Sequence, residues 1–375
     1  MTGSSSGAYK VENWSTGDNI TLVRKEDWWG DQLHGQQWSF QGWADKIIFK
    51  TITDRVTAIR AAAAGEIDVI RDLPGDEFLK IREDKDGEIM KNFNLHTPDT
   101  YSYVYLGLNC RPPAGRTPFL EDPRVRKALA HITDVDRIIE KVYSGFGTRI
   151  VGPISPHNVN EYHTGLNPVG FDPEKAKALL DEAGWKDSNG DGVRDKEIRG
   201  KRVEFEIEFM VSNSSKTAPR LAAMVAAEAK KIGLVINVNR IEFGTLTSKL
   251  KTHEFDMFGA GFNGSPLPKD LWQVWHSESW TNRGSNYFGF GNEYSDSLIE
   301  TIRVTVDPDK RRPMYTAFQE MLQDWQPAIF IMAPQERIII HKRFQGAKST
   351  VVRPGYKLIE LNSPKDKQLF GGEAG

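Results

Sequence analysis

The chain has 375 residues, of which 39% are hydrophobic and 27% charged. This composition supports a buried core and excludes a disordered tail, and the length suggests two or three domains. Lysine and arginine number 49 against 51 aspartates and glutamates, a balance that argues against a dedicated nucleic-acid-binding protein. No apolar run approaches the roughly 20 residues that a transmembrane helix needs.

Cys110 is the only cysteine, which excludes an internal disulfide framework, and we expect it to be a small buried residue. The first seven residues are small and polar and lack the basic and apolar regions of a signal peptide. Two interpretations stay open at this point: a cytoplasmic protein, or an exported one whose chain has been cut.

The first hundred residues predict short strands and one clear helix. Strands are predicted at 20–23, 46–52 and 67–70 from their β-branched and apolar residues. The helix between the last two begins after Asp54, a natural N-cap, and ends at Gly65. Val56, Ile59 and Ala63 are spaced to form its apolar face. The order strand–helix–strand is the repeating unit of an α/β sheet.

The rest of the chain continues this alternation. Strands are predicted at 101–109, 203–210, 234–238, 328–332 and 337–340, and helices at 124–132, after Asp134, and at 217–232. Asp172 and Asp307 are each followed by proline, the combination that opens a helix with a cap and a proline in the first turn. The whole pattern predicts an α/β fold.

The sharpest local motif runs from 187 to 195. Oxygen-bearing side chains occupy relative positions 1, 3, 5 and 9, and these are Asp187, Asn189, Asp191 and Asp195. With a glycine at position 6, this spacing matches the start of an EF-hand calcium loop. The twelfth position, which should hold a bidentate glutamate, is Ile198. A structural calcium ion and a plain polar turn therefore both remain open.

Glycine and aromatic residues are concentrated between 258 and 291. Glycine allows a backbone to approach a ligand closely, and aromatic faces bury apolar surface or stack on rings. From this segment we predict seven ligand-binding residues, although some of its aromatic side chains must simply pack in the core: Gly261, Phe262, Asn263, Trp272, Trp275, Asn286 and Tyr287.

Enzyme signatures are missing from the sequence. There is no HExxH motif, no GxSxG elbow and no phosphate-binding P-loop, and the eight histidines are scattered. Gly289-Phe290-Gly291 lacks the third glycine of a dinucleotide fingerprint. The sequence therefore gives no positive evidence for an enzyme, and we predict no catalytic residue. A secreted hydrolase acting on sugars or peptides is the alternative.

Several segments carry a family resemblance in the correct order along the chain. They include Gly7-Ala8-Tyr9-Lys10-Val11, Asp27-Trp28-Trp29-Gly30, Ala64-Gly65-Glu66-Ile67-Asp68, Pro123-Arg124-Val125-Arg126-Lys127-Ala128-Leu129, Asp172-Pro173-Glu174-Lys175-Ala176 continuing to Gly184-Trp185, and Gly284-Ser285-Asn286-Tyr287. Together they resemble the family-5 extracellular solute-binding proteins, the peptide, nickel and oligosaccharide receptors of bacterial ABC importers.

The resemblance implies an architecture of two lobes joined by a hinge, the type II arrangement of periplasmic binding proteins. Residues 1–105 would belong to an incomplete first lobe, 106–340 to the second lobe, and 341–375 to the return to the first lobe and a tail. The hinge would lie near 103–109 and 341–345. Family members have a further stretch before the first matching segment, so we expect a truncated chain that binds ligand weakly or not at all.

The resemblance also implies a function. A peptide or related oligomer would be captured between the lobes and delivered to an ABC permease, by a monomeric protein outside the cytoplasm that is lipid-anchored at full length. In peptide-binding members an aspartate pairs with the α-amino group of the peptide, and the position that corresponds to it is Asn263. A neutral amide cannot form this ion pair, so a sugar or modified ligand remains open, as does a sensor with the same fold.

Overall fold

The computed structural model describes residues 6–33, 40, 42–282 and 284–368. The chain forms two compact units. Unit 1 contains Met1–Asp99 and Gln335–Gly375, and unit 2 contains Thr100–Pro334. In the described residues, no helix combines the length and apolar character that a membrane span requires.

The strands, in chain order, are β1 Tyr9–Ser15, β2 Asn19–Arg24, β3 Lys46–Lys50, β4 Val69–Ile70, β5 Phe93–His96, β6 Tyr103–Leu108, β7 Gly147–Arg149, β8 Asp195–Ile198, β9 Lys201–Glu204, β10 Glu206–Ser212, β11 Val235–Ile241, β12 Met257–Phe262, β13 Ala328–Pro334 and β14 Ile338–His341. The helices are α1 Arg55–Ala63, α2 Gly75–Glu83, α3 Glu88–Asn92, α4 Pro123–Ile132, α5 Val135–Tyr143, α6 Pro173–Glu182, α7 Ala218–Lys230, α8 Phe243–Lys251, α9 Trp272–Trp275, α10 Glu278–Thr281, α11 Glu293–Val304 and α12 Pro308–Trp325. Short 3-10 turns lie at Trp29–Leu33, Leu358–Glu360 and Lys365–Lys367.

The described residues of unit 1 form two small antiparallel sheets, with strand orders β1-β2-β3 and β4-β14-β5. The predicted strand–helix–strand unit around α1 is therefore wrong, because β3 and β4 belong to different sheets. β3 pairs with β2, its neighbour in sequence, whereas β4 pairs with β14, which returns from the far end of the chain.

The helix α1 begins where its cap residue predicts. The Asp54 carboxylate accepts a hydrogen bond of 2.7 Å from the backbone N–H of Thr57. The predicted apolar face is wrong, however: Ala58 and Ala62 are buried, whereas Val56 is 43% exposed. The helix packs against α3 and β4, and small alanine side chains allow this close approach.

Unit 2 is built on a six-stranded mixed sheet with strand order β11-β10-β12-β6-β13-β7. β10 runs parallel to β11 and β12, and the remaining pairs are antiparallel. β6 lies between β12 and β13, so it belongs entirely to unit 2, and β14 belongs entirely to unit 1. For this reason the units divide at 99 and 334, where the sequence-based boundaries were 105 and 340.

The core of unit 2 covers both faces of this sheet. Successive side chains of a strand point to opposite faces, and β6 follows the rule. Leu106 and Leu108 belong to a cluster formed with α4 to α7. Tyr103 and Tyr105 belong to a second cluster, formed with α8, α11 and α12.

The cap signals predicted in unit 2 are confirmed. Asp134, Asp172 and Asp307 each accept a hydrogen bond from a first-turn N–H of α5, α6 and α12, respectively, and proline occupies the first turn of α6 and α12. Gly184 and Gly233 have positive φ just beyond α6 and α7, which is the left-handed stop that glycine provides.

Two buried residues have unusual chemistry. Arg126 on α4 is 1% exposed and donates hydrogen bonds to the backbone carbonyls of Leu120, Glu121 and Trp325. Burial lowers its pKa. Cys110 is buried as predicted, and burial raises the pKa of its thiol to about 11.

Candidate ligand-binding site

The carboxyl end of β12 brings three of the predicted ligand-binding residues to one edge of the sheet in unit 2. Gly261 and Phe262 pair with Val104 and Tyr103 on β6. The rings of Phe262 and Tyr103 stack, with centroids 5.4 Å apart and planes inclined by 17°. Tyr103 is only 4% exposed, and burial raises its pKa well above the usual value, so its phenol stays neutral.

Asn263 follows directly and is exposed to solvent. Its amide oxygen accepts a hydrogen bond of 3.4 Å from the hydroxyl of Ser102. The next residue must be glycine, because a Cβ at Gly264 would overlap the carbonyl oxygen of Tyr101. The chain therefore leaves the sheet in close contact with the segment before β6, and this contact holds Asn263 at the sheet edge.

A lysine that the sequence analysis missed completes this group. The Lys269 ammonium lies 3.9 Å from the ring centroid of Phe262 and 5.5 Å from that of Tyr103. Burial lowers the pKa of Lys269 to about 8. In sequence it is one more cation after two prolines, Pro266 and Pro268, with no pattern that would single it out. We call Tyr103, Phe262, Asn263 and Lys269 the β12-edge cluster.

Trp272 and Tyr287 lie in other surroundings. The Trp272 ring is half-buried and stacks on His276 at 3.6 Å, with the Arg303 guanidinium 5.0 Å from its centroid. Tyr287 is also half-buried and packs edge-on against Phe258, at 6.2 Å. Each retains some exposed surface, so both stay candidates for ligand contact.

Trp275 and Asn286 are placed differently from the prediction, because both lie inside the core. Trp275 is 1% exposed and stacks on Phe288 at 4.9 Å. Asn286 is fully buried and donates to the carbonyl oxygens of His276 and Phe290 at 2.9 and 2.8 Å. These side chains hold the fold together at this point, so we omit them from the proposed site.

The four side chains predicted to bind calcium are Asp187, Asn189, Asp191 and Asp195. The Asp187 carboxylate accepts hydrogen bonds from the backbone N–H groups of Gly190 and Gly192, at 2.7 and 3.0 Å. The Asp195 carboxylate binds the hydroxyl and N–H of Ser188. Over the described ranges, no group of three or more His, Cys, Asp or Glu side chains is arranged to hold a metal. Calcium binding stays a prediction.

The fold assigns a class. The chain has the mixed α/β fold of the type II periplasmic binding proteins. It aligns with NikA from Brucella suis, solved with Fe(III)-EDTA, at a TM-score of 0.79 and 22% identity, covering 96% of this chain and 68% of that one. It aligns with AppA from Bacillus subtilis, solved with a nonapeptide, at a TM-score of 0.73 and 26% identity, covering 96% and 66%.

Residues 2–285 match the family described as bacterial extracellular solute-binding proteins, family 5 (Middle). The match covers well over half of the chain, and the chain belongs to this family. Its members are extracellular solute-binding proteins rather than enzymes.

Characterised relatives agree with this assignment. The oligopeptide-binding protein AppA of Bacillus subtilis is 27% identical over 94% of this chain. The dipeptide-binding protein of Escherichia coli is 24% identical over 87% of this chain. The chain spans 61% and 55% of the lengths of these two relatives.

Proposed function

We propose that the chain acts as a substrate-binding component of an ABC importer, capturing a peptide or related oligomer and delivering it to a membrane permease. The observation that carries this proposal is the family match over residues 2–285. The names of the two relatives above, one oligopeptide-binding and one dipeptide-binding, favour peptides as the ligand class.

The proposed mechanism is binding without chemical conversion. A ligand that contacts both lobes only when they are closed shifts an equilibrium between open and closed forms, and the permease recognises the closed form. The hinge of this motion would be the two connections between units 1 and 2. Two hydrogen bonds join these connections to each other. In unit 2 the Thr100 hydroxyl donates to the Pro334 carbonyl at 2.8 Å, and in unit 1 the Gln335 amide donates to the Asp99 carboxylate at 2.9 Å.

The part of the ligand site that unit 2 would contribute contains Gly261, Phe262 and Asn263, together with Trp272 and Tyr287. Glycine keeps the strand edge open to a ligand backbone, and the aromatic rings offer apolar contact. Asn263 can donate and accept hydrogen bonds but cannot neutralise an ammonium group. The protein would work outside the cytoplasm as a monomer, lipid-anchored at full length, with no catalytic step and no nucleic-acid partner.

Thermal unfolding with ligand pools tests the proposal. Pools of short peptides at millimolar concentration should raise the melting temperature, because a ligand that binds only the folded state stabilises it by about 2.7 kcal/mol at 100 times its Kd. Oligosaccharide pools and single amino acids provide the comparison. Stabilisation by sugars alone, or chemical conversion of any peptide detected by mass spectrometry, would contradict the proposal.

A further inference from the structure

Lys269 is a half-buried cation that lies against two aromatic rings. Among the residues that the structure describes, no carboxylate lies within ion-pair distance of its ammonium, which rests on the faces of Phe262 and Tyr103. Burying a charge is unfavourable unless it is paired. Burial is also the whole cause of its lowered pKa, with no acid raising it. At neutral pH the Lys269 side chain is still protonated, and therefore positively charged, in most molecules.

The acid next to Lys269 in sequence is paired with other groups. The Asp270 carboxylate accepts a hydrogen bond from the backbone N–H of Trp272 and lies 3.4 Å from the Arg303 guanidinium. The backbone of Lys269 is fixed, because its carbonyl accepts a hydrogen bond of 2.6 Å from the Tyr315 hydroxyl. The backbone of Lys269 is therefore held in place, while its ammonium has no carboxylate partner among the described residues.

We propose that Lys269, on the aromatic faces of the β12-edge cluster, binds a carboxylate of the ligand. The site in unit 2 would then select an anionic group, since the neighbouring Asn263 offers no negative charge to attract an ammonium. This inference rests on the proposed function, because a carboxylate is the anionic group that peptides carry at their carboxyl terminus. Phe262 and Tyr103 orient the ammonium by cation–π contact and exclude water from one side of it.

Matched ligands test the inference on the intact chain. Tetraalanine and its carboxyl-terminal amide differ by one charge, and glutarate carries carboxylates without a peptide bond. We expect the free acid to bind at least tenfold more tightly than the amide, measured by thermal shift titration at neutral pH. Lys269→Met should abolish this preference, Lys269→Arg should retain part of it, and the exposed Lys251→Met should leave it unchanged.

The outcomes separate the two proposals. Equal binding of acid and amide to the unmodified chain, with the affinity unchanged in Lys269→Met, would overturn the carboxylate site while leaving peptide capture intact. Glutarate binding that depends on Lys269, without any peptide binding, would support the site and contradict the peptide function. Absence of a Lys269-dependent shift with all three probes would overturn the inference. The comparison of acid and amide needs no variant, so it holds even if Lys269→Met fails to fold.

Discussion

Glu336 in unit 1 is only 4% exposed, and its carboxyl group lies close to charged side chains. Its oxygen lies 3.6 Å from the Arg71 guanidinium and 3.5 Å from that of Arg353. Burial, followed by a hydrogen bond to Asp72 and the charge of that residue, raises the pKa of Glu336 to about 7. The pKa of Asp72 is lowered: burial acts in the opposite direction, but the hydrogen bond with Glu336 and the nearby arginines outweigh it.

This shift predicts how stability depends on pH. A carboxyl group with a raised native pKa binds its proton more tightly in the folded state, so its stabilising contribution is present at acidic pH and falls as pH rises through 7. We expect the unmodified chain to lose roughly 1–3 kcal/mol between pH 5 and 8 from this group. Glu336→Gln should remove that loss in urea unfolding at the two pH values.

The exposed Glu83 provides the control, because Glu83→Gln changes the same atoms on the surface of unit 1. Asp72 titrates below this pH window and does not disturb the comparison. If the unmodified chain and Glu336→Gln lose stability in parallel from pH 5 to pH 8, the native pKa of Glu336 is not raised.

Helix caps and buried charged residues differ in how far the sequence predicts their roles. The caps Asp54, Asp172 and Asp307 act on the first turn of their own helices, so their roles follow from neighbours in sequence. Lys269 and Glu336 depend on contacts with Tyr103 and Asp72, far away along the chain. A local pattern cannot indicate that a charged side chain is buried by such distant residues.

At the scale of elements, Arg126 connects the start of α4 with the end of α12. Its guanidinium donates to the Trp325 carbonyl through two nitrogens, at 3.0 and 2.7 Å, and to the carbonyls of Leu120 and Glu121. Arg126→Met would keep much of the side-chain volume and leave these buried acceptors without a donor. We expect a loss of about 3–5 kcal/mol in the free energy of unfolding, measured by urea denaturation.

Arg240→Met is the matched control, because Arg240 is exposed on β11. It should change stability by less than about 0.5 kcal/mol. A similar, small effect of both substitutions would mean that water replaces the guanidinium at these carbonyls.

Whether a segment forms a strand or a helix was easier to predict than which strands pair with each other. The alternation of strand and helix signals correctly predicted β6, α4 to α7, β10, β11, α12 and β13, but it missed α8, β12 and α11. The pairing of β4 with β14 was not predictable, because it joins residues 69–70 to 339–340. The burial of Trp275 and Asn286 was missed for a related reason. Aromatic and amide residues serve a core and a ligand site equally well, and only tertiary packing separates the two roles.

At the scale of the whole molecule, unit 2 is a continuous segment with its own sheet and its own core on both faces. We expect residues 100–334 to fold alone, with an α/β circular dichroism spectrum and one cooperative urea transition. Unit 1 is assembled from two distant segments, so it cannot be produced as one continuous fragment of the chain.

A shorter fragment, residues 110–334, gives the contrast. It lacks β6, the strand between β12 and β13, and should not unfold cooperatively. Gradual unfolding of residues 100–334 would instead indicate that unit 2 needs unit 1 for its stability.

The solitary thiol of Cys110 makes this chain convenient for fluorescence. Hidden in the core and protonated at neutral pH, it should react slowly with maleimides. Dyes would therefore attach selectively to cysteines introduced at exposed positions, such as Lys85→Cys in unit 1 and Lys251→Cys in unit 2. Energy transfer between the two dyes would then follow any change in their separation as a candidate ligand is added.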